Sequence, residues 1–188
     1  MFSSAYDFNQ DLSGWDVSSV TTMDKMFYNA NSFNEDLSNW DLSSVTDMAE
    51  MFENANSFNQ DLSSWDVSSV TNMTRVFENA TNFNSDISGW NVSNVTTMDR
   101  LFNGANSFNQ DISSWDISSV SNMNIMFNNT HSLSDSNKCA IHGTFSSNGN
   151  WPYDWSENQD DCGVCFGGNV DMDCAGTCFG DAVVDNCN

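Results

Sequence analysis

Basic residues are nearly missing from this chain. Lys25, Arg75, Arg100 and Lys138 stand against 26 acidic residues in 188, a formal charge of −22. Nucleic acid and anionic membrane surfaces both require a basic footprint, so this balance argues against either as a partner. Long apolar runs are missing too, and nothing in the sequence is suited to spanning a bilayer. Met1-Phe2-Ser3-Ser4-Ala5-Tyr6-Asp7 shows neither the basic stretch nor the apolar core of an export signal. Histidine occurs only as His131 and His142, and neither sits near a distinctive serine or cysteine nucleophile.

What is present is repetition. Trp15, Trp40, Trp65, Trp90 and Trp115 recur every 25 residues, as do Phe8, Phe33, Phe58, Phe83 and Phe108 and the methionines from Met23 to Met123. The copies align without gaps. Periods of this length are the mark of stacked repeat architectures. Within one copy the apolar positions are Phe58, Leu62, Trp65, Val67, Val70, Met73, Val76, Phe77 and Ala80. From Val70 onward their spacing of three, three, one and three predicts one face of a short helix, with Ser68 or Ser69 as its N-cap. Phe58-Asn59-Gln60-Asp61-Leu62 is the candidate for a short extended stretch, and Ser63-Ser64 and Ser68-Ser69 mark turns. One strand and one helix cannot bury an apolar face alone. Stacking the copies lets each pair with the next around a continuous core. The expected class is therefore α/β: a curved solenoid with one short strand and one short helix in each 25-residue rung.

The run Val45-Thr46-Asp47-Met48-Ala49-Glu50-Met51-Phe52-Glu53-Asn54-Ala55-Asn56-Ser57-Phe58-Asn59-Gln60-Asp61-Leu62 resembles the BspA-like leucine-rich-repeat family of bacterial surface proteins. The variant with Trp-Asp-Val-Ser-Ser-Val-Thr and Ser-Phe-Asn-Gln-Asp-Leu is the nearest in pattern, and residues 2 to 134 follow it. The resemblance implies a leucine-rich-repeat solenoid, a cell-surface location and a role in adhesion or partner binding. Phe, Trp and Met take the places where ordinary leucine-rich repeats carry leucine.

Repetition turns polar residues into ladders. Asn34, Asn59, Asn84 and Asn109 continue one from Asn9; Asp36, Asp61, Asp86 and Asp111 continue another from Asp11. Asp16, Asp41, Asp66 and Asp116 make a third, interrupted by Asn91. Stacked carboxylates repel and need compensation. Each aspartate could accept backbone amides at a tight turn, with stacked asparagines tying rung to rung. Alternatively Asp36, Asp61, Asp86 and Asp111 are candidate Ca²⁺ ligands, because that hard ion takes six to eight oxygens, although no copy has the Asp-x-Asp-x-Asp-Gly loop. A third reading makes the Asn/Asp face the partner-binding surface. Asn91 leans the third ladder toward structure, since a turn-capping oxygen tolerates an amide where an essential charged ligand would not. Active sites are singular and these carboxylates recur in every copy, so no catalysis and no cofactor are expected.

The pattern fails after Phe127. Residues 1–130 are expected to form the repeat array, and residues 131–157, with Phe145, Trp151, Pro152, Tyr153 and Trp155, a unit capping it. Residues 158–188 read as an irregular, disulfide-rich segment. Cys139, Cys162, Cys165, Cys174, Cys178 and Cys187 form an even set that fits disulfides in an oxidising compartment. The pairing expected is Cys139–Cys162, Cys165–Cys174 and Cys178–Cys187; zinc is the rival reading of Cys-x-x-Cys. Met1 occupies the repeat position of Met26 and Met51, so the sequence reads as opening inside a copy, part of a longer chain whose export signal lies elsewhere. The function expected is a non-enzymatic extracellular or cell-surface repeat protein that binds a protein or glycan. A calcium-stabilised spacer is the alternative, and an ice- or mineral-binding array a weaker one.

Overall fold

A computed structural model describes residues 1–158. Within it each 25-residue copy is a rung made of tight turns. In one copy, backbone amides reach three residues back, closing Val70 on Val67, Glu78 on Arg75, Ala80 on Phe77, Phe83 on Ala80 and Trp90 on Ile87 at 2.9–3.2 Å. Each closure turns an apolar residue inward. Phe58, Leu62, Val70, Met73, Val76, Phe77 and Ala80 are all fully buried.

The strand-and-helix rung expected from the sequence is overturned. Residues 70–80 form no helix and residues 58–62 no strand. Among the described residues the one α-helix is α1 (Asp135–Phe145), followed by a single 3-10 turn, Ser156–Asn158. Strand character shrinks to a column of isolated parallel bridges, Thr22 to Asp47, Asp47 to Asn72, Asn72 to Thr97 and Thr97 to Asn122. No sheet forms from them, so the molecule is not an α/β leucine-rich-repeat solenoid.

The reason lies in two residues per copy. Arg75 and Asn79 both have φ of 56°, and their equivalents Lys25 and Asn29, or Glu50 and Asn54, are likewise left-handed. A left-handed residue cannot continue an α-helix. It swings alternate amides off the i−4 direction and along the stack. Met73, Arg75, Phe77 and Asn79 donate to Thr97, Asp99, Leu101 and Asn103 of the next copy at 2.7–3.0 Å. Thr71 donates the other way, to Thr46, at 2.9 Å, and its hydroxyl reaches the same carbonyl at 3.1 Å. The register between copies is thus held by backbone bonds at an offset of one repeat.

The aromatic interior repeats with the turns. Phe27, Phe52, Phe77 and Phe102 stack at 5.4–5.8 Å between ring centroids, and the column through Phe33, Phe58, Phe83 and Phe108 at 5.9–6.4 Å. Trp65, Trp90 and Trp115 are spaced at 6.3–6.4 Å. Each indole from Trp40 to Trp115 donates Nε1 to a buried carbonyl one rung back: Trp40 to Leu12, Trp65 to Leu37, Trp90 to Leu62 and Trp115 to Ile87, at 3.0–3.1 Å. A buried indole N–H without such a partner would carry its full desolvation cost.

The last rung is covered by α1 and the segment after it. Ser134 caps α1 by accepting from the Asn137 amide, and Cys139, Ile141 and Phe145 point into the interior. Tyr153 Oη accepts from the Phe127 amide at 2.8 Å, while Trp151 and Trp155 lie over the Phe127 ring. Asn148 Nδ2 donates to the carbonyls of Ile117 and Val120. The Tyr153 hydroxyl thus takes the place of the next-rung carbonyl that accepts from the equivalent amides of Phe77 and Phe102.

Candidate functional site

The aspartate ladders form two exposed columns, each built by a local turn. Ser13, Ser38, Ser63, Ser88 and Ser113 donate their amides to Oδ1 of Asp11, Asp36, Asp61, Asp86 and Asp111 at 2.8–2.9 Å. Five residues on, the amides of Ser18, Ser43, Ser68 and Ser118 do the same for Asp16, Asp41, Asp66 and Asp116 at 3.0–3.1 Å. These are Asx turns, in which a side-chain oxygen imitates a backbone carbonyl. Asn91 fills the gap in the second column and accepts from Ser93 in the same way, at 3.2 Å from the amide and 2.8 Å from the hydroxyl.

These bonds also set the charge state. Hydrogen bonds from the serine hydroxyl and then the serine amide hold Asp11, Asp16, Asp41 and Asp66 below the usual carboxylate range. For Asp61, Asp86 and Asp116 the amide is the larger cause and the hydroxyl the second. Repulsion from the aspartate one rung back acts on Asp41, Asp66 and Asp86, and in each it is the smallest influence. In these three aspartates the turn outweighs the repulsion and favours the ionised form.

The asparagine ladder has a different task. The amides of Asn34, Asn59, Asn84 and Asn109 donate to Oδ1 of Asn9, Asn34, Asn59 and Asn84 at 2.8–2.9 Å, and Ser134 continues the series onto Asn109. Each asparagine side chain therefore fastens the next rung. Of the residues singled out from the sequence, Asn34, Asn59, Asn84 and Asn109 serve cohesion, while Asp36, Asp61, Asp86 and Asp111 cap turns and present charge to solvent. Among the described residues no three His, Cys, Asp or Glu side chains gather closely enough to hold a metal ion.

A third charged feature escapes the sequence pattern because its positions vary from copy to copy. Lys25, Glu50, Arg75 and Arg100 share one left-handed position, with Glu53 and Glu78 buried beside them, 8% and 6% exposed. Lys25 Nζ meets Glu50 Oε1 at 3.4 Å and Arg75 Nε meets Glu78 Oε2 at 3.4 Å. Asn103 Nδ2 donates to Glu78 Oε1 at 2.7 Å. Glu53 Oε2 is buried with no hydrogen-bond partner. Burial above all, then the charges of Glu78 and Glu50, push its carboxyl up to about 7 against the opposing pull of Arg75 and Lys25. The available signal was that three of the chain's four basic residues occupy one repeat position.

A family model described as "Mycoplasma protein of unknown function, DUF285" matches residues 1–75 and 57–144. The two matches overlap within the third copy and together span more than three quarters of the 188 residues. The chain belongs to the DUF285 family. No curated protein and no solved structure matches it. The DUF285 match runs through all five tryptophan rungs and ends inside α1.

Cys139, in the buried face of α1, is disulfide-bonded. No second cysteine falls within residues 1–158, so no disulfide closes inside the described residues. Cys162, Cys165, Cys174, Cys178 and Cys187, with the expected cysteine-rich segment and its pairings, lie outside them.

Proposed function

We propose that this DUF285 chain is a non-enzymatic interaction protein that acts outside the cell or at its surface and binds a protein or glycan through its aspartate columns. The observation that carries the reading is the pair of pinned acidic columns: five aspartates from Asp11 to Asp111 and four from Asp16 to Asp116, exposed and fixed by their own turns. A repeated, rigid display suits multivalent recognition, in which contacts that are weak singly add through effective concentration. Pre-fixed side chains lose little freedom on binding. The disulfide at Cys139 supports an oxidising location. The likeness of the repeat to BspA-like surface proteins supports the same setting.

The test exploits Asn91, which keeps the turn without the charge. Changing Asp36, Asp61, Asp86 and Asp111 together to Asn should preserve folding and abolish binding on glycan and extracellular-matrix arrays. Retained binding by a folded variant would remove the columns from the reading.

A further inference from the structure

Trp151 is the hub of the lid over the last rung. Its ring meets Tyr153 at 5.1 Å, Phe145 and Trp155 at 5.3 Å and Phe127 at 6.2 Å between centroids, edge-on in every case. The ring has one polar atom, Nε1, and it donates to His142 Nδ1 at 3.1 Å. His142 stands half-buried in the last turn of α1, where its own carbonyl accepts the Ser146 amide at 3.0 Å. The helix thus fixes the histidine backbone, and the imidazole ties α1 to the lid.

The acceptor sets this indole apart. Trp40, Trp65, Trp90 and Trp115 satisfy the same N–H on backbone carbonyls, which accept at any pH. An imidazole nitrogen accepts only while it is unprotonated, so the Trp151 bond requires the neutral ring with its proton on Nε2. Acid places an N–H on Nδ1 as well, and two donors then face each other. The titratable groups on the elements packed here are Asp135 and Lys138 in α1, Tyr153 and Asp154 in the lid, and Glu157 in the 3-10 turn against α1. From the last rung, Asp116 shares a crevice with Thr144 and Asn148. Lys138 is held by Asp135 Oδ1 at 3.0 Å, Asp154 Oδ1 accepts from Ser156, and Tyr153 Oη accepts from Phe127. The Trp151 indole depends on His142.

We propose that His142 and Trp151 form an acid-sensitive latch: protonation of Nδ1 breaks the polar tie of the hub ring and loosens the lid from the last rung. Tyr153 follows Trp151, since its ring packs on the indole and its hydroxyl holds the Phe127 amide at 2.8 Å. Release uncovers the apolar end of the array, where Phe127 and Phe145 are 6% and 0% exposed under the closed lid. The latch does not rest on the binding role of the aspartate columns.

The Phe127 amide and the Trp151 Nε1–H report directly on the lid. Their hydrogen exchange is followed by NMR in the full chain at pH 8 and pH 5, each rate divided by the unstructured rate at that pH. In the wild type, protection should fall about fivefold to tenfold at pH 5, the worth of one hydrogen bond. His142→Gln offers an acceptor that does not titrate and should hold protection equal at both pH values. Trp151→Phe removes the donor, so its Phe127 amide should be less protected at pH 8 and show no further fall at pH 5. Glu53 is intact in both variants, so its own titration cancels. The latch is disproved if wild-type protection at Phe127 stays level at pH 5, or if either variant keeps the full fall. A rise at pH 5 disproves it too, since attraction of the imidazolium to Asp154 would then outweigh the lost bond.

Discussion

The indole of Trp65 and the carbonyl of Leu37 meet at 3.0 Å across the boundary between two copies, both inside the core. That bond is the sole polar demand in the tryptophan column, and it recurs at each internal boundary. Trp65→Phe keeps most of the apolar bulk and leaves the Leu37 carbonyl without its donor. The expected loss is about 1–3 kcal/mol, the cost of an orphaned buried acceptor, read by chemical denaturation. Trp15→Phe, which removes no such bond, should be close to neutral.

Gly104 interrupts a second chain of side chains. Asn54 Nδ2 donates to Asn29 Oδ1 at 2.7 Å and Asn79 Nδ2 to Asn54 Oδ1 at 3.0 Å, but the next copy has glycine at φ 74°. A Cβ there would approach Asn79 Oδ1 too closely, and that atom is the movable end of a side chain. Gly104→Asn should stabilise by roughly 0.5–1 kcal/mol through a less flexible unfolded chain and one more amide link. Gly104→Ala should destabilise by about 1 kcal/mol, because alanine suffers the left-handed conformation without making the link. Paired thermal melts separate the two.

Glu53 makes stability depend on pH in an unusual direction. Its proton is held more tightly in the folded state, up to about 7 against an ordinary 4.5. Its contribution is therefore complete below about 4.5 and is lost as pH rises through 7. Glu53→Gln stays neutral and should flatten that decline. The variant should match the wild type at pH 5 and exceed it at pH 8 by about 1–2 kcal/mol, allowing for the solvent at its edge. Unfolding curves across that range decide it; a wild-type advantage at pH 8 would show that Arg75 and Lys25 outweigh burial.

Asp61 and Asp66 act oppositely. Their carboxyls are held below the ordinary value by the hydrogen bonds of Ser63 and Ser68, so their contribution is present above that value and is lost as pH falls through the lowered one. Asp61→Asn keeps the turn, as Asn91 does, and should lower the neutral-pH Tm only slightly, by the charge-assisted part of the bond. Asp61→Ala, which loses the cap, should lower it further.

Calcium should leave the Tm where it is. Each column aspartate spends Oδ1 on its own serine, and among the described residues no three acidic or other ligand side chains converge. A rise on adding calcium that chelator reverses would favour the calcium-stabilised spacer instead.

The tryptophan, phenylalanine and methionine columns were legible in the sequence because a constant period places identical residues in identical surroundings. The turn-capping role of the aspartates was legible as well, and Asn91 pointed to it. The helix from Val70 was misread for a definite reason. Turns closed three residues back space Val70, Met73 and Val76 as one helical face would, and apolar periodicity cannot tell the two apart. What separates them is the left-handed backbone at Lys25, Glu50, Arg75 and Arg100, where the usual glycine or asparagine marker is absent. The pairing of Glu53 with Glu78 stayed hidden because Tyr28 and Asn103 share their position.

The unequal ring spacings give the array a built-in bend. Neighbouring copies lie 5.4–5.8 Å apart at Phe52 and its equivalents but 6.3–6.4 Å apart at the tryptophans. The backbone ladder is thus a tight spine, and the edge carrying Trp65 between Asp61 and Asp66 fans open like the leaves of a book. Like charges on that edge are thereby held slightly farther apart than an evenly spaced stack would place them, which eases the electrostatic cost of lengthening the array.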